Sequence, residues 1–240
     1  MTIKVSVIGA TGRMGKLALE IIDASQDLEL HSALDSKSEL AQALGSDVIF
    51  EATKLDVSKE VVPFALANKL NILVATSGWS EADRAALGVG SESAVVFVPN
   101  FSVGSVLASK FAALAAKHFD SIEIVETHHA GKVDSPSGTA IRTAELISES
   151  RHEAGLTQPL ILGVGQEARG QVVAGVPVHS LRISGVSAKQ EVTLGGVSEV
   201  LNISHEVSSI QAYASGILHS IRFAATSKGL TVGLDKVLGI

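Results

Sequence analysis

Ile3-Lys4-Val5-Ser6-Val7-Ile8-Gly9-Ala10-Thr11-Gly12-Arg13-Met14-Gly15 decides the fold. Residues 3–8 form a short, mostly apolar run that ends in glycine, the pattern of a buried parallel strand. Residues 13–24 then place Met14, Leu17, Ala18, Ile21 and Ile22 at helical spacing. The turn between them reads G-x-x-G-x-x-G. Gly9 permits a sharp turn, Gly12 lets the backbone approach a pyrophosphate, and Gly15 lets the helix pack close to the sheet. The start of the helix offers unpaired N–H groups to phosphates. Gly9, Ala10, Thr11, Gly12, Arg13 and Met14 are therefore candidate cofactor-binding residues. A glycine turn without a ligand is the plainer alternative, and the strand–turn–helix setting argues against it.

Working outward, residues 28–34 form a second strand pattern ending at Asp35, twenty residues after Gly15. An acid at that place accepts hydrogen bonds from an adenosine ribose and repels a 2′-phosphate. Lys37 and Arg13 soften that repulsion, so the choice between NADH and NADPH stays open. Further strands are expected at 46–50, 71–75 and 94–98, with helices at 57–69, around Pro63, and at 81–87. Strands alternating with helices imply a doubly wound parallel sheet, a Rossmann domain. Ligands sit outside the carboxyl ends of such strands. That adds Ala75, Thr76 and Ser77, and Val98, Pro99, Asn100 and Phe101, to the candidate cofactor contacts.

After residue 102 the pattern changes. Helices are expected at 103–117 and 137–150, and a strand at 121–128. Strand-like runs with glycine breaks follow from 159 to 207, at 176–183, 189–194 and 198–207. A helix closes the chain near 213–226. The fold class is therefore α/β: an N-terminal Rossmann doubly wound parallel sheet plus a C-terminal α+β domain with a mixed or antiparallel sheet. Residues 1–102 are expected to form the dinucleotide domain and 103–211 a second domain. The segment 212–240 is free to return to the first.

Composition narrows the function. Hydrophobic residues make up 46% of the 240 and charged ones 18%, an ordinary globular balance. Aromatics are 4% and the net charge is −6, without a basic cluster, which disfavours nucleic-acid and membrane-surface partners. There is no cysteine, which excludes thiolate chemistry and cysteine zinc sites and suits a cytoplasmic protein. The opening residues do not read as a signal peptide, and no run of 18 apolar residues occurs.

The stretch Glu126-Thr127-His128-His129-Ala130-Gly131-Lys132-Val133-Asp134-Ser135-Pro136-Ser137-Gly138-Thr139-Ala140 joins a strand to a helix. Ser135 is expected as the helix N-cap, with Pro136 at the first helical position. The Ser137-Gly138-Thr139 backbone at the helix start suits a carboxylate, and Lys132 adds a positive charge. His128 and His129 exchange protons near neutral pH. Alone, each reads as a structural histidine or a solvated lysine. Together they suit a small anionic substrate that needs a proton. Metal binding is a poor reading, because adjacent histidines on a strand point to opposite faces and no His-x-x-x-His spacing occurs.

The same stretch resembles the dihydrodipicolinate reductase family (4-hydroxy-tetrahydrodipicolinate reductases) of lysine and diaminopimelate biosynthesis, whose pattern is E-x-H-H-x-x-K-x-D-x-P-S-G-T-A. The resemblance extends to residues 7–15, 99–104, 168–170, 175–180 and 190–192. It implies NADH- or NADPH-dependent reduction of a small dicarboxylate by a homotetramer, with 103–211 as the substrate-binding and oligomerisation domain. It makes His128 the proton donor and Lys132 a second catalytic donor. His129, Lys132, Ser137, Gly138 and Thr139 become substrate contacts. The chain departs from the family at Glu51-Ala52-Thr53, where Asp-Phe-Thr is usual, and at Ala75-Thr76-Ser77-Gly78, where Gly-Thr-Thr-Gly is usual. It also has Ile210 where an arginine is common. The resemblance sets the first two segments beside the nicotinamide. Those departures motivate two alternatives: a reductase of another small imine or oxo acid, or a non-catalytic dinucleotide-binding protein.

Overall fold

The computed structural model describes residues 2–159 and 161–240. Residue 160, in the strand-like run expected from 159, lies outside them. The chain divides into two compact units: Met1–Val103 with Ile210–Ile240, and Gly104–Ser209.

In the first unit, β1 (Ile3–Ile8), α1 (Arg13–Ala24), β2 (Leu28–Leu34), β3 (Val48–Glu51), α2 (Leu55–Ala67), β4 (Asn71–Val74), α3 (Glu81–Ala86) and β5 (Ala94–Phe97) follow one another. After the second unit come α6 (Ala214–Thr226), β11 (Gly229–Val232) and α7 (Leu234–Leu238). The six strands stand in the order β11-β5-β4-β3-β1-β2, and every neighbouring pair is parallel. Central strands of such a sheet are covered on both faces, which is why they read as near-continuous apolar runs. Ile49, Phe50, Ile72, Leu73, Val95 and Val96 are fully buried. Val61, Val62 and Ala65 of α2 and Ile217, Ile221 and Ala224 of α6 are fully buried with them. Strand order reverses at β1, with β2 on one side and β3 on the other, so the carboxyl ends of β1 and β3 form the topological switch point.

Sequence periodicity did not locate β11. It is four residues flanked by glycine, with an alternating, half-exposed pattern and too few apolar positions to register. It exists because β5 offers an open parallel edge to residues 229–232.

The second unit contains α4 (Val103–Ala115), which begins at the boundary, then β6 (Ser121–His128), α5 (Gly138–Glu153), β7 (Gln171–Val173), β8 (Val176–Arg182), β9 (Ala188–Gly196) and β10 (Glu199–Val207). Its sheet runs β10-β9-β6-β8-β7. Only β6 and β8 pair in parallel, so the sheet is mixed. Side chains alternate across a strand, and Ile122, Ile124, Val176, Val178, Val192 and Leu194 form one buried face. That face packs with Ala112, Ala116, Ala140, Ala144 and Ile147.

One local expectation is corrected. α5 is capped by Ser137, not Ser135, and starts at Gly138 rather than Pro136. The Ser137 hydroxyl accepts the Ala140 N–H at 3.2 Å, and the Ser137 N–H donates to the buried carboxylate of Glu126 at 3.2 Å. Both serines are good cap formers; the tertiary contact to Glu126 selects the second. The Ser135–Pro136 peptide is cis.

Candidate functional site

The glycine turn of the first unit is built by steric necessity at two of its three glycines. Gly9 has φ +89°, and a Cβ there would lie 2.3 Å from the Ala52 carbonyl oxygen. A Cβ on Gly15 would lie 2.2 Å from the Gly9 carbonyl oxygen. Gly12 caps α1 without a side-chain hydrogen bond, and a Cβ there would meet the Gly9 oxygen at 3.2 Å. The first turn of α1 carries no acidic residue, so its N–H groups face an environment suited to an anion. Thr11, Gly12 and Arg13 are exposed, Met14 is half-buried and Ala10 is buried.

Asp35 directly follows β2 and is exposed. Its Oδ1 accepts the Lys37 N–H at 2.9 Å and the Ser38 hydroxyl at 3.0 Å. Those two bonds hold its carboxyl below the usual range, the Lys37 amide contributing most. At the ends of β4 and β5 the candidates separate by exposure. Ser77 is exposed and Ala75 and Thr76 are half-buried, whereas Val98 and Phe101 are core residues. Phe101 packs against Phe50 with ring centroids 6.2 Å apart. Pro99 is exposed and Asn100 half-buried, with Asn100 Oδ1 accepting the Ser102 N–H at 3.0 Å. At Val98 and Phe101 only main-chain atoms remain for a ligand.

The family resemblance set Glu51 beside the nicotinamide only as a departure, and sequence reasoning gave it no role. It ends β3 at the switch point, and it is fully buried. Its carboxylate accepts from the Thr53 N–H at 2.7 Å, the Thr53 hydroxyl at 2.5 Å, the Thr76 hydroxyl at 2.8 Å and the Ser58 hydroxyl at 2.7 Å. The signal available was a lone acid closing an apolar strand.

In the second unit, β6 carries the histidine and ends there. Residues i and i+2 of a strand share a face, which sets Glu126 beside His128, with Nδ1 of His128 2.5 Å from Glu126 Oε2. The parallel register of β6 and β8 places Arg182 opposite His128. The Arg182 guanidinium grips both Glu126 oxygens at 2.8 and 3.0 Å and donates to the Asp134 carbonyl at 2.7 Å. Burial by itself would raise the Glu126 carboxyl, but the hydrogen bonds from Arg182, Ser180 and His128 outweigh it and hold the group below the usual range. Glu126 thus ties three segments together: the end of β6, the end of β8 and the loop into α5. Neither it nor Arg182 was given a role from sequence. Glu126 was readable from its i, i+2 spacing, while Arg182 needs the sheet register.

Lys132 lies in the exposed loop, with its Nζ 2.7 Å from both Asp134 oxygens. The pairing draws the Asp134 carboxyl down. His129 is exposed, and its carbonyl accepts the Lys132 N–H at 3.1 Å in the turn. Gly138 is exposed and Thr139 half-buried at the first turn of α5, where N–H groups lack intrahelical partners. The loop thus brings together an imidazole oriented by a buried carboxylate, an ammonium and a helix start. Among the described residues there is no group of three or more His, Asp or Glu side chains placed to hold a metal ion. No helix among them is long and apolar enough to cross a membrane.

A parallel Rossmann sheet with a glycine turn at its switch point, followed by a mixed-sheet unit carrying a charged His/Lys loop, defines a reductase of the dinucleotide-binding class. The family profile for the N-terminus of dihydrodipicolinate reductase matches residues 3–101, and that for its C-terminus matches residues 104–238. The chain therefore belongs to the dihydrodipicolinate reductase family. It is 51% identical over 246 residues to the 4-hydroxy-tetrahydrodipicolinate reductase of Clavibacter sepedonicus, covering 99% of this chain and 87% of that one. It is 41% identical to that of Streptomyces griseus subsp. griseus, covering 99% and 98%. Among solved structures, the dipicolinate-bound dihydrodipicolinate reductase from Paenisporosarcina sp. TG-14 matches with a TM-score of 0.81 at 29% identity, over 98% of this chain and 99% of that one.

Proposed function

We propose that this chain reduces 4-hydroxy-tetrahydrodipicolinate (dihydrodipicolinate) to tetrahydrodipicolinate with NADH or NADPH, a step of lysine and diaminopimelate biosynthesis. The observation that carries this reading is the His128–Glu126–Arg182 network at the ends of β6 and β8, from which the Lys132 loop leads to the start of α5. The turn formed by Gly9, Gly12 and Gly15 and the open start of α1 support a pyrophosphate site, with Ala10, Thr11, Arg13 and Met14 bordering it and Asp35, exposed after β2, as the ribose contact. Ala75, Thr76 and Ser77 and the backbone of residues 98–101 would complete that site.

Loss of water from the 4-hydroxy compound gives the conjugated cyclic imine, to which a bound nicotinamide would supply a hydride, and the chain's own groups do the rest. The N–H groups of Gly138 and Thr139 and the Lys132 ammonium hold the substrate carboxylates, with His129 and Ser137 bordering them. A carboxylate arriving at Lys132 shares the ammonium with Asp134. His128, fixed through Nδ1, has its other ring nitrogen to deliver the proton that the electron-rich adduct requires, and Lys132 is the second donor. Positioning and electrostatic stabilisation then provide most of the acceleration.

Loss of absorbance at 340 nm with freshly generated substrate tests the assignment, with NADH and NADPH compared in one assay. We expect turnover with at least one of them. His128→Gln should lower kcat by about 10²-fold or more, the usual scale of general acid catalysis, while NADH affinity stays within about twofold. Absence of turnover with both cofactors overturns the reading. The assembly we propose is a cytoplasmic homotetramer. Exposed Leu181, Val197 and Val200 in and beside the second unit's sheet support association. Light scattering should give about four times the 24.8 kDa chain mass.

A further inference from the structure

The Glu51 cluster has a donor–acceptor polarity that selects a ligand group. A hydroxyl has one hydrogen to give. The hydrogen of Thr76 goes to Glu51 Oε1 at 2.8 Å, and the Thr76 hydroxyl oxygen accepts the Thr53 N–H at 3.0 Å. The hydrogen of Thr53 has two acceptors, Glu51 Oε1 at 2.5 Å and the Lys54 carbonyl at 3.2 Å, and the shorter bond goes to Glu51. Ser58, whose oxygen receives the Trp79 indole N–H at 3.0 Å, gives its hydrogen to Glu51 Oε2. Glu51 is fully buried, and Thr53 and Thr76 are half-buried. The two threonine oxygens therefore meet any ligand as acceptors only.

Their place along the sheet identifies what they meet. In the order β2-β1-β3-β4, Asp35 follows β2, the glycine turn follows β1, Thr53 lies just past β3, and Thr76 lies just past β4. A dinucleotide with one ribose at Asp35 and its pyrophosphate over α1 must carry its other half across the ends of β3 and β4. The pyridine ring of that half bears one hydrogen-bond donor, the carboxamide N–H₂.

We propose that Glu51 is a positioning residue: by taking the hydroxyl hydrogens of Thr53 and Thr76, it makes those oxygens acceptors for the nicotinamide carboxamide N–H₂. This rests on the reading that the first unit binds a nicotinamide dinucleotide. A phosphate or a carbonyl finds no donor in these two hydroxyls, so the cluster discriminates by donor content as well as by shape.

Calorimetric affinities of the full chain for three probes test it: NADH, reduced 3-acetylpyridine adenine dinucleotide, whose acetyl group has no N–H, and ADP-ribose, which has no pyridine ring. The wild type should prefer NADH to the acetylpyridine analogue by about tenfold, the scale of one unmade hydrogen bond in a partly buried site. Thr76→Val removes one acceptor and should cut that preference. Glu51→Leu takes away the common acceptor, so the hydrogens of Thr53 and Thr76 are free to turn towards the ligand. The preference should then fall towards unity, with ADP-ribose affinity unchanged within about twofold. Equal losses for all three probes, or a preference that survives both substitutions, overturns the role of Glu51. A wild type that binds neither NADH nor ADP-ribose overturns the dinucleotide reading itself and this proposal with it. If Glu51→Leu fails to fold, Thr76→Val decides alone.

Discussion

At the residue scale, the second unit is organised around one buried carboxylate. Glu126 receives Arg182 through a two-point contact, Nδ1 of His128 and the N–H of Ser137. Removing the acid by Glu126→Ala leaves the half-buried guanidinium without its carboxylate, with main-chain carbonyls alone as partners. That should cost about 3–5 kcal/mol of unfolding free energy, as broken buried ion pairs do, readable in urea titrations. Activity should fall as well, because the ring of His128 loses what orients it. The pH dependence has a definite sign. Hydrogen bonding holds Glu126 below its ordinary 4.5, so the folded form keeps it ionised where the unfolded chain would not. Its stabilisation is fully present above pH 4.5 and disappears as pH falls through the lowered folded value. Glu123, lowered against its burial by Arg169 and His179, acts in the same direction. Acid titration of wild-type stability should therefore show a loss below about pH 4.5, and Glu126→Gln should flatten it. An unchanged acid limb in that variant would rule out this account.

At the element scale, the glycine turn separates what folds the chain from what binds a ligand. A methyl on Gly15 meets a main-chain oxygen at 2.2 Å, which α1 can relieve only by moving off β1. A methyl on Gly12 meets the same oxygen at 3.2 Å and needs only a small adjustment. Gly15→Ala should thus destabilise by about 1–3 kcal/mol, the range for overpacked sites, seen as a lowered Tm. Gly12→Ala should change Tm little but weaken NADH binding by tenfold or more, because it fills the approach to the pyrophosphate. Similar Tm losses in both variants would refute this division of labour.

The same turn explains how much of the molecule was legible in sequence. β1, the turn and α1 carry apolar periodicity and glycine chemistry in adjacent residues, so the local pattern and the tertiary structure agree there. The E-x-H-H loop was legible as a motif because it is contiguous. Features that depend on register or on strand neighbours were not legible. Arg182 meets Glu126 across 56 residues, and Thr76 meets Glu51 across 25. The cap of α5 moved from Ser135 to Ser137 because a distant carboxylate chose between two equivalent local signals.

At the scale of the whole molecule, the discontinuity of the first unit makes a prediction that no single segment makes. β11 and α6 come from Ile210–Ile240, yet they complete the sheet and core begun at the N-terminus. Gly229–Val232 pairs residue by residue with Ala94–Phe97, and the Gly229 N–H donates to the Ser93 carbonyl at 2.8 Å. α6 approaches closely enough that a Cβ on Gly216 would lie 2.0 Å from the Phe101 carbonyl oxygen. A ligand that binds only the folded first unit stabilises it by about 2.7 kcal/mol at a hundred times its Kd. Segments that open only with that unit share this protection, wherever they lie in the chain. In hydrogen exchange, NADH should therefore slow the amides of β11 and α6 together with those of β3 and β4, although more than a hundred residues separate the two sets. On the proposed function, dipicolinate as an analogue of the substrate should instead slow β6, β8 and the start of α5, and Glu126→Ala should abolish only this second response. If β11 and α6 answered to dipicolinate and not to NADH, the C-terminal segment would belong energetically to the second unit, and the division of the chain into these two folding units would be wrong.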